Sequence, residues 1–226
     1  MSPAAIVERA VAAGMGGIAA TDHQSARNAP AVAECAARAG LAFLPGLEVC
    51  TAEEVHVLTI FDTVEQALAM TDKVYAALPK RVNDPETFGD QPVVTAGEEI
   101  VEMEWRILAM ACRLTVAQVA EECRALGGML VAAHVDRPAF SVFSQLGGIP
   151  ADAAFDAVEI SRTADESLWL PRTADYAATR SSDAHNLDDV AAVWSEADIA
   201  SFSVASLKEA FAARAVCTSP RLADFA

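Results

Sequence analysis

The chain has 226 residues, 53% of them hydrophobic, and a formal net charge of −16 from 32 Asp and Glu against 16 Lys and Arg. That length suits a single domain with a full apolar core, and the many alanines point to Ala-rich helices around a smaller set of Val, Ile and Leu strands, an α/β composition. The acid surplus repels a phosphate backbone and so argues against extended nucleic acid, while the absence of an apolar run of roughly 18 to 20 residues argues against a membrane partner.

Ser2 caps and Pro3 opens a first helix, with Ala4, Ile6, Val7, Ala10 and Val11 as its apolar face and Gly14 as its stop. Residues 16–20 (GGIAA) are too few for a helix and read as a buried strand running into Thr21-Asp22-His23. A helix over 29–39 stopped by Gly40 follows, then a strand over 41–44 broken by Pro45-Gly46, with Glu48 and Val49 beyond the break. Residues 56–61 (HVLTIF) read as a strand and 64–78 as a helix.

Residues 80–97 are dense in breakers, which marks an irregular loop near the site rather than a linker between domains. Helices are expected over 98–112 and 115–126, so that 80–114 forms an irregular and helical insertion in one domain covering 1–226. A strand over 129–133 ends at His134, and a loop with a short helix runs to Pro150. A strand over 157–160, a helical segment over 165–178 and the stretch 180–183 lead to His185, and 206–214 is a last helix. Alternating βα units of this kind build a parallel sheet or barrel.

The five cysteines, Cys35, Cys50, Cys112, Cys123 and Cys217, are scattered without CxxC spacing and read as free thiols. The four histidines, His23, His56, His134 and His185, all fall at expected strand boundaries, two of them beside acids in TDH and SDAH. Loops at the C-terminal ends of parallel strands converge, so these imidazoles, with Glu48 and Asp183, can meet around one metal site, and such a donor set suits Zn, Mn or Fe. Asp22 reads as a residue that orients a ligand from behind, since ligating histidines donate their other N–H to a carboxylate or carbonyl. Arg137, three residues beyond His134, is placed to grip phosphate oxygens, and Arg27 and Arg162 also follow strand ends.

The run SPAAIVERAVAAGMGGIAATDH, then FLPGLEV, EVHVL, AAHVDRP and SSDAH, resembles in order and spacing the successive motifs of the PHP (polymerase and histidinol phosphatase) phosphoesterases. The resemblance implies a distorted (β/α)7 TIM-like barrel with up to about three divalent ions at the C-terminal ends of its strands. It implies His23, Glu48, His56, His134, Asp183 and His185 as ligands, with Glu48 bridging two ions; Arg137 and Asp22, from their own placement, are the expected catalytic helpers. The activity implied is hydrolysis of a small phosphorylated metabolite or nucleotide, and the absence of an apolar span or a cationic-apolar start reads as a cytoplasmic location.

The family opens with a strand carrying D-x-H-x-H, and nothing in this sequence corresponds to it. The expectation is therefore a barrel without its first strand, fewer bound ions, and an open sheet edge that gives a weak monomer or a homodimer. The same gap motivates a second reading, a non-catalytic or impaired metal-binding or regulatory module. A third is another barrel metal hydrolase, such as an amidohydrolase.

Overall fold

The computed structural model describes residues 1–219. Helix α1 (Pro3–Ala12) starts on Ser2, whose Oγ accepts the Ala5 N–H, and buries Val7 and Ala10. Strand β1 (Gly17–Ala20) and helix α2 (Ala29–Ala39) follow, the helix ending on Gly40 at a φ of 69°, a left-handed stop that glycine adopts without steric cost.

Strand β2 (Ala42–Cys50) runs unbroken through Pro45-Gly46, where the sequence suggested a break. Pro45 stays in register with Ala20 of β1, and its carbonyl accepts the Phe61 N–H at 2.9 Å. Gly46 lets strand β3 (His56–Ile60) come close, because a Cβ there would lie 2.5 Å from the Thr59 carbonyl oxygen. The Pro-Gly pair is thus an accommodation inside a strand.

Helix α3 (Val64–Ala77) opens with a Thr63–Gln66 capping box. The insertion after it holds a short helix α4 (Pro85–Phe88) and a hairpin of β4 (Pro92–Val94) and β5 (Ile100–Met103). The helix expected over 98–112 is not there. Ile100, Val101, Met103 and Trp105 in its first half are exposed, so little core contact favours a helix there, and Val94 pairs with Ile100 instead.

Helix α5 (Val116–Ala125) has a Thr115–Gln118 capping box, and strand β6 (Met129–Ala132), helix α6 (Val142–Leu146) and strand β7 (Ala157–Glu159) come next. Where a helical segment was expected over 165–178, the chain makes a single turn, α7 (Glu166–Trp169), and a tight turn at Pro171–Thr173 before strand β8 (Ala178–Thr179). Pro171 lacks the N–H that would continue the ladder. Strand β9 (Ser195–Ala197), helix α8 (Val204–Ala212) and strand β10 (Val216–Thr218) complete the described residues.

The fold is α/β. Among the described residues β1, β2, β3, β6, β7 and β8 form, in that order, one curled six-stranded sheet, and β4–β5 and β9–β10 are small antiparallel pairs. The pairs β1–β2, β6–β7 and β7–β8 are parallel, but β3 runs antiparallel to both its neighbours. Helices α3 and α5 cover one face, burying Met70, Val74 and Val119 against Leu47, Val57 and Leu130. Helix α8 covers other sheet residues, Leu44, Ile60 and Met129, with Val204 and Phe211. The reversal of β3 decides the site: its first residue, His56, lies opposite Cys50, the last residue of β2, so its N-terminal end joins the rim formed by the C-terminal ends of β2 and β6.

Candidate metal centre

Backbone pairing puts each side chain in place. His23 continues the β1–β2 ladder beyond β1: the Glu48 N–H donates to the Asp22 carbonyl at 3.0 Å and the Gln24 N–H to the Glu48 carbonyl at 2.9 Å. Gln24 then turns the chain at a φ of 58°. His56 opens β3 and donates its N–H to the Phe140 carbonyl at 2.9 Å. His134 follows β6 at a φ of 28° and donates its N–H to Glu159 Oε1 at 3.2 Å. Left-handed backbone at residues with side chains is costly and persists only where surroundings fix it, and here it occurs at Gln24, His134, Phe140 and Asp183 around one rim.

The side chains converge on Glu48. Its Oε1 lies 3.0 Å from His56 Nδ1 and 3.1 Å from His134 Nε2, which are themselves 3.3 Å apart, and its Oε2 lies 3.2 Å from His23 Nδ1. Ligand atoms of His23, Glu48 and His56 all fall within 4.8 Å of one another. Three basic atoms in mutual contact, Glu48 Oε1, His56 Nδ1 and His134 Nε2, have too few protons to satisfy every contact, and His134 Nδ1 is buried with no hydrogen-bond partner among the described residues. A shared divalent cation fits such a group, and the N and O donors match Zn, Mn or Fe.

Burial pushes the Glu48 carboxyl up, but hydrogen bonds from His134 and His56 and the nearby His23 outweigh it and hold it well below the usual carboxylate range. Burial lowers His23, with Glu48 only partly offsetting it. For His134 burial lowers, but the Glu48 hydrogen bond and charge win and the imidazole is raised.

Glu159, which the motif reading passed over, is buried at the end of β7 and takes the His134 N–H on one oxygen and the Ser181 hydroxyl on the other. Burial pushes its carboxyl up to about 7. Its signal in the sequence is a lone acid inside the apolar run AVEI. Phe140 was also missed; its ring stacks on His56 with centroids 4.8 Å apart and planes 24° from parallel.

Asp183 and His185 stand at the rim next to this cluster. The His185 ring is 6.2 Å from that of His23, and His185 Nδ1 donates to the Asp183 carbonyl at 2.9 Å, leaving Nε2 for a ligand. Arg137 Nη2 is 2.5 Å from Asp183 Oδ2, so the expected phosphate-gripping guanidinium is held by an expected ligand. Asp22 is exposed; its contact with the cluster is through its carbonyl on the Glu48 N–H, and its carboxylate makes no hydrogen bond to a histidine among the described residues. Arg27 is paired with Glu102 and Glu104, and Arg162 with Asp189. Cys35, Cys50, Cys112 and Cys123 are buried free thiols, and Cys217 is exposed. No helix among the described residues is long and apolar enough to cross a membrane.

No family model matches the sequence, and no curated protein matches it. Solved structures do share its fold. Endonuclease Q from Pyrococcus furiosus, a lesion-specific endonuclease, aligns with a TM-score of 0.66 at 18% identity, over 93% of this chain and 50% of its own. A complex of endonuclease Q with a 27-mer duplex carrying an abasic lesion at the active site gives 0.67 at 18% identity, over 93% and 51%. A candidate metal-dependent phosphoesterase from Bifidobacterium adolescentis gives 0.57 at 21%, over 82% of each chain. The chain thus spans about half the length of endonuclease Q.

The fold is PHP-like, as the ordered motifs implied. One exclusion drawn from composition falls: a protein of this fold is solved with a 27-mer DNA duplex, so the net charge of −16 does not rule out extended nucleic acid. Net charge sums over the whole surface, whereas a duplex meets only the groups around one cleft.

Proposed function

We propose that the chain is a metal-dependent phosphoesterase on a distorted barrel of the PHP type, with His23, Glu48, His56 and His134 as the central ligands and Asp183 and His185 beside them. The observation that carries this reading is the Glu48 carboxylate, whose two oxygens face three imidazoles at 3.0 to 3.2 Å. A divalent ion of the Zn, Mn or Fe kind, held by these side chains, would supply Lewis-acid charge for a phosphoryl group and for an attacking water.

The chain's own groups do the rest. Glu48 stays ionised and offers Oε1 toward His56 and His134 and Oε2 toward His23, so it would be shared between ligand positions. Asp22 fixes Glu48 through the backbone. Arg137 grips phosphate oxygens at the rim, exchanging Asp183 for substrate, and Asp183 keeps the guanidinium aimed there meanwhile. Glu159 holds the strained His134 turn.

The substrate class is a phosphoester of a small metabolite or nucleotide. A polynucleotide phosphodiester is the second reading, favoured by the likeness to endonuclease Q over 93% of the chain. Both are tested by stripping the protein with chelator and assaying p-nitrophenyl phosphate, nucleoside monophosphates and an abasic duplex, with and without Mn or Zn. Metal-dependent turnover of monoesters supports the first reading, and strand cleavage the second. Stoichiometric metal with no turnover on any substrate overturns both in favour of a binding module.

A further inference from the structure

The loop that follows His23 is tied to the insertion at three points. The Gln24 amide, fully buried, donates to the Cys50 carbonyl at 3.0 Å and the Met110 carbonyl at 2.6 Å. Arg27 reaches Glu102 with two nitrogens, one at 2.8 Å from Oε1, and Glu104 Oε2 at 3.3 Å. Asn28 donates to the Pro92 carbonyl at 3.1 Å and accepts the Val94 N–H at 2.9 Å. The side-chain donors of Gln24 and Arg27, and both a donor and the acceptor of Asn28, are thus spent on segments near 92–94, 102–104 and 110, with Cys50 as the second acceptor for Gln24.

The insertion's end of this contact is itself hydrogen-bonded and partly buried. Glu104 is buried, and its Oε1 also takes the Tyr75 hydroxyl at 3.0 Å and the Arg106 N–H at 2.8 Å. Arg106 lies over the Tyr75 ring at 3.9 Å and donates to the Tyr75 carbonyl at 2.7 Å, so the hub is anchored on α3. A buried carboxylate without Arg27 would be an uncompensated charge.

These contacts have one common beneficiary. Gln24 holds a left-handed φ of 58° directly after His23, and its N–H closes the bridge that aligns His23 with Glu48. Such a turn needs its surroundings to over-determine it, and on the insertion side it is residues 92–110 that do so.

We propose that Arg27 is a positioning residue through which the insertion sets the place of His23, so that the insertion braces the metal-binding group and Arg27 is not a substrate-phosphate contact. The proposal rests on the reading of His23 as a ligand. Outer partners that orient a ligand typically change metal affinity by about 10- to 100-fold.

The test compares wild type, Arg27→Gln, His23→Ala and the double variant by Mn affinity from chelator competition, with amide hydrogen exchange at Gln24 and Glu48 in parallel. Arg38→Gln, which removes an exposed pair with Glu34 on α2, is the control and should change neither. Arg27→Gln is expected to weaken Mn binding about 10-fold and to speed exchange at both amides, and to weaken it no further once His23 is Ala. Unchanged affinity with both amides still protected overturns the proposal, as does an equal loss in the His23→Ala background. If wild type binds no Mn, the metal reading fails by itself, and exchange alone decides: faster in Arg27→Gln supports the brace, unchanged overturns it. Should Arg27→Gln not fold, Glu102→Gln, at the exposed end of the pair, takes its place with the same readouts.

Discussion

Glu48 and His56 meet at 3.0 Å although the β2–β3 register sets Glu48 opposite Leu58 and His56 opposite Cys50. They are diagonal neighbours on one face of an antiparallel pair, within reach because both side chains are long. The contact fixes one carboxylate oxygen toward His56 and His134 and leaves the other for His23. Glu48→Gln keeps the shape and removes the charge. It should weaken Mn or Zn binding by more than the about 10- to 100-fold seen on losing an outer partner, measured by equilibrium dialysis.

Glu159 gives the metal-free protein a pH signature. Burial raises its carboxyl from the ordinary 4.5 to about 7, so folding favours its neutral form. Its stabilising contribution is complete below about pH 4.5 and is lost as pH rises through about 7. Urea titrations across that window should show wild type losing stability relative to Glu159→Gln, which cannot ionise and keeps an acceptor for the His134 N–H. Parallel curves for the two proteins would assign the slope to other groups.

Gly46 is where β2 and β3 come closest. Adding a methyl group 2.5 Å from the Thr59 oxygen must push two strands apart, and both carry site residues. Gly46→Ala should cost about 1 to 3 kcal/mol or more, the range for overpacking, while Gly148→Ala, with nothing within 4 Å, should leave the thermal midpoint unchanged.

Arg137 separates binding from chemistry. If it grips phosphate oxygens before and during the reaction, Arg137→Ala raises KM several-fold with kcat little altered, the pattern of uniform binding. A fall in kcat at constant KM would place its action in the transition state alone.

Much of the rim was legible because its residues cluster in short motifs at strand ends: TDH at His23 and HVDRP at His134 lie where the pattern put them. The sequence could not disclose that β3 is reversed, since a five-residue strand such as HVLTI reads the same in either direction. His56 therefore sits at the start of its strand and still reaches the shared rim. Pro45-Gly46 misled because local propensity marks a turn, whereas tertiary contact with β1 and β3 keeps the strand extended. The segment from 98 misled in the opposite sense: a helix was expected over 98–112, but Ile100, Val101 and Met103 are exposed and the chain pairs as a hairpin with 92–94. Glu159 was missed because one acid in an apolar strand carries no motif, only a burial cost that becomes visible once its partners His134 and Ser181 are seen.

The most direct test of the central claim is pulsed electron paramagnetic resonance on Mn-loaded protein with 15N-labelled histidine. Couplings from imidazole nitrogens that diminish in His56→Ala and His134→Ala are the predicted result. A spectrum of fully aquated Mn, unchanged by those substitutions and by Glu48→Gln, would contradict a metal centre built on Glu48 and its histidines.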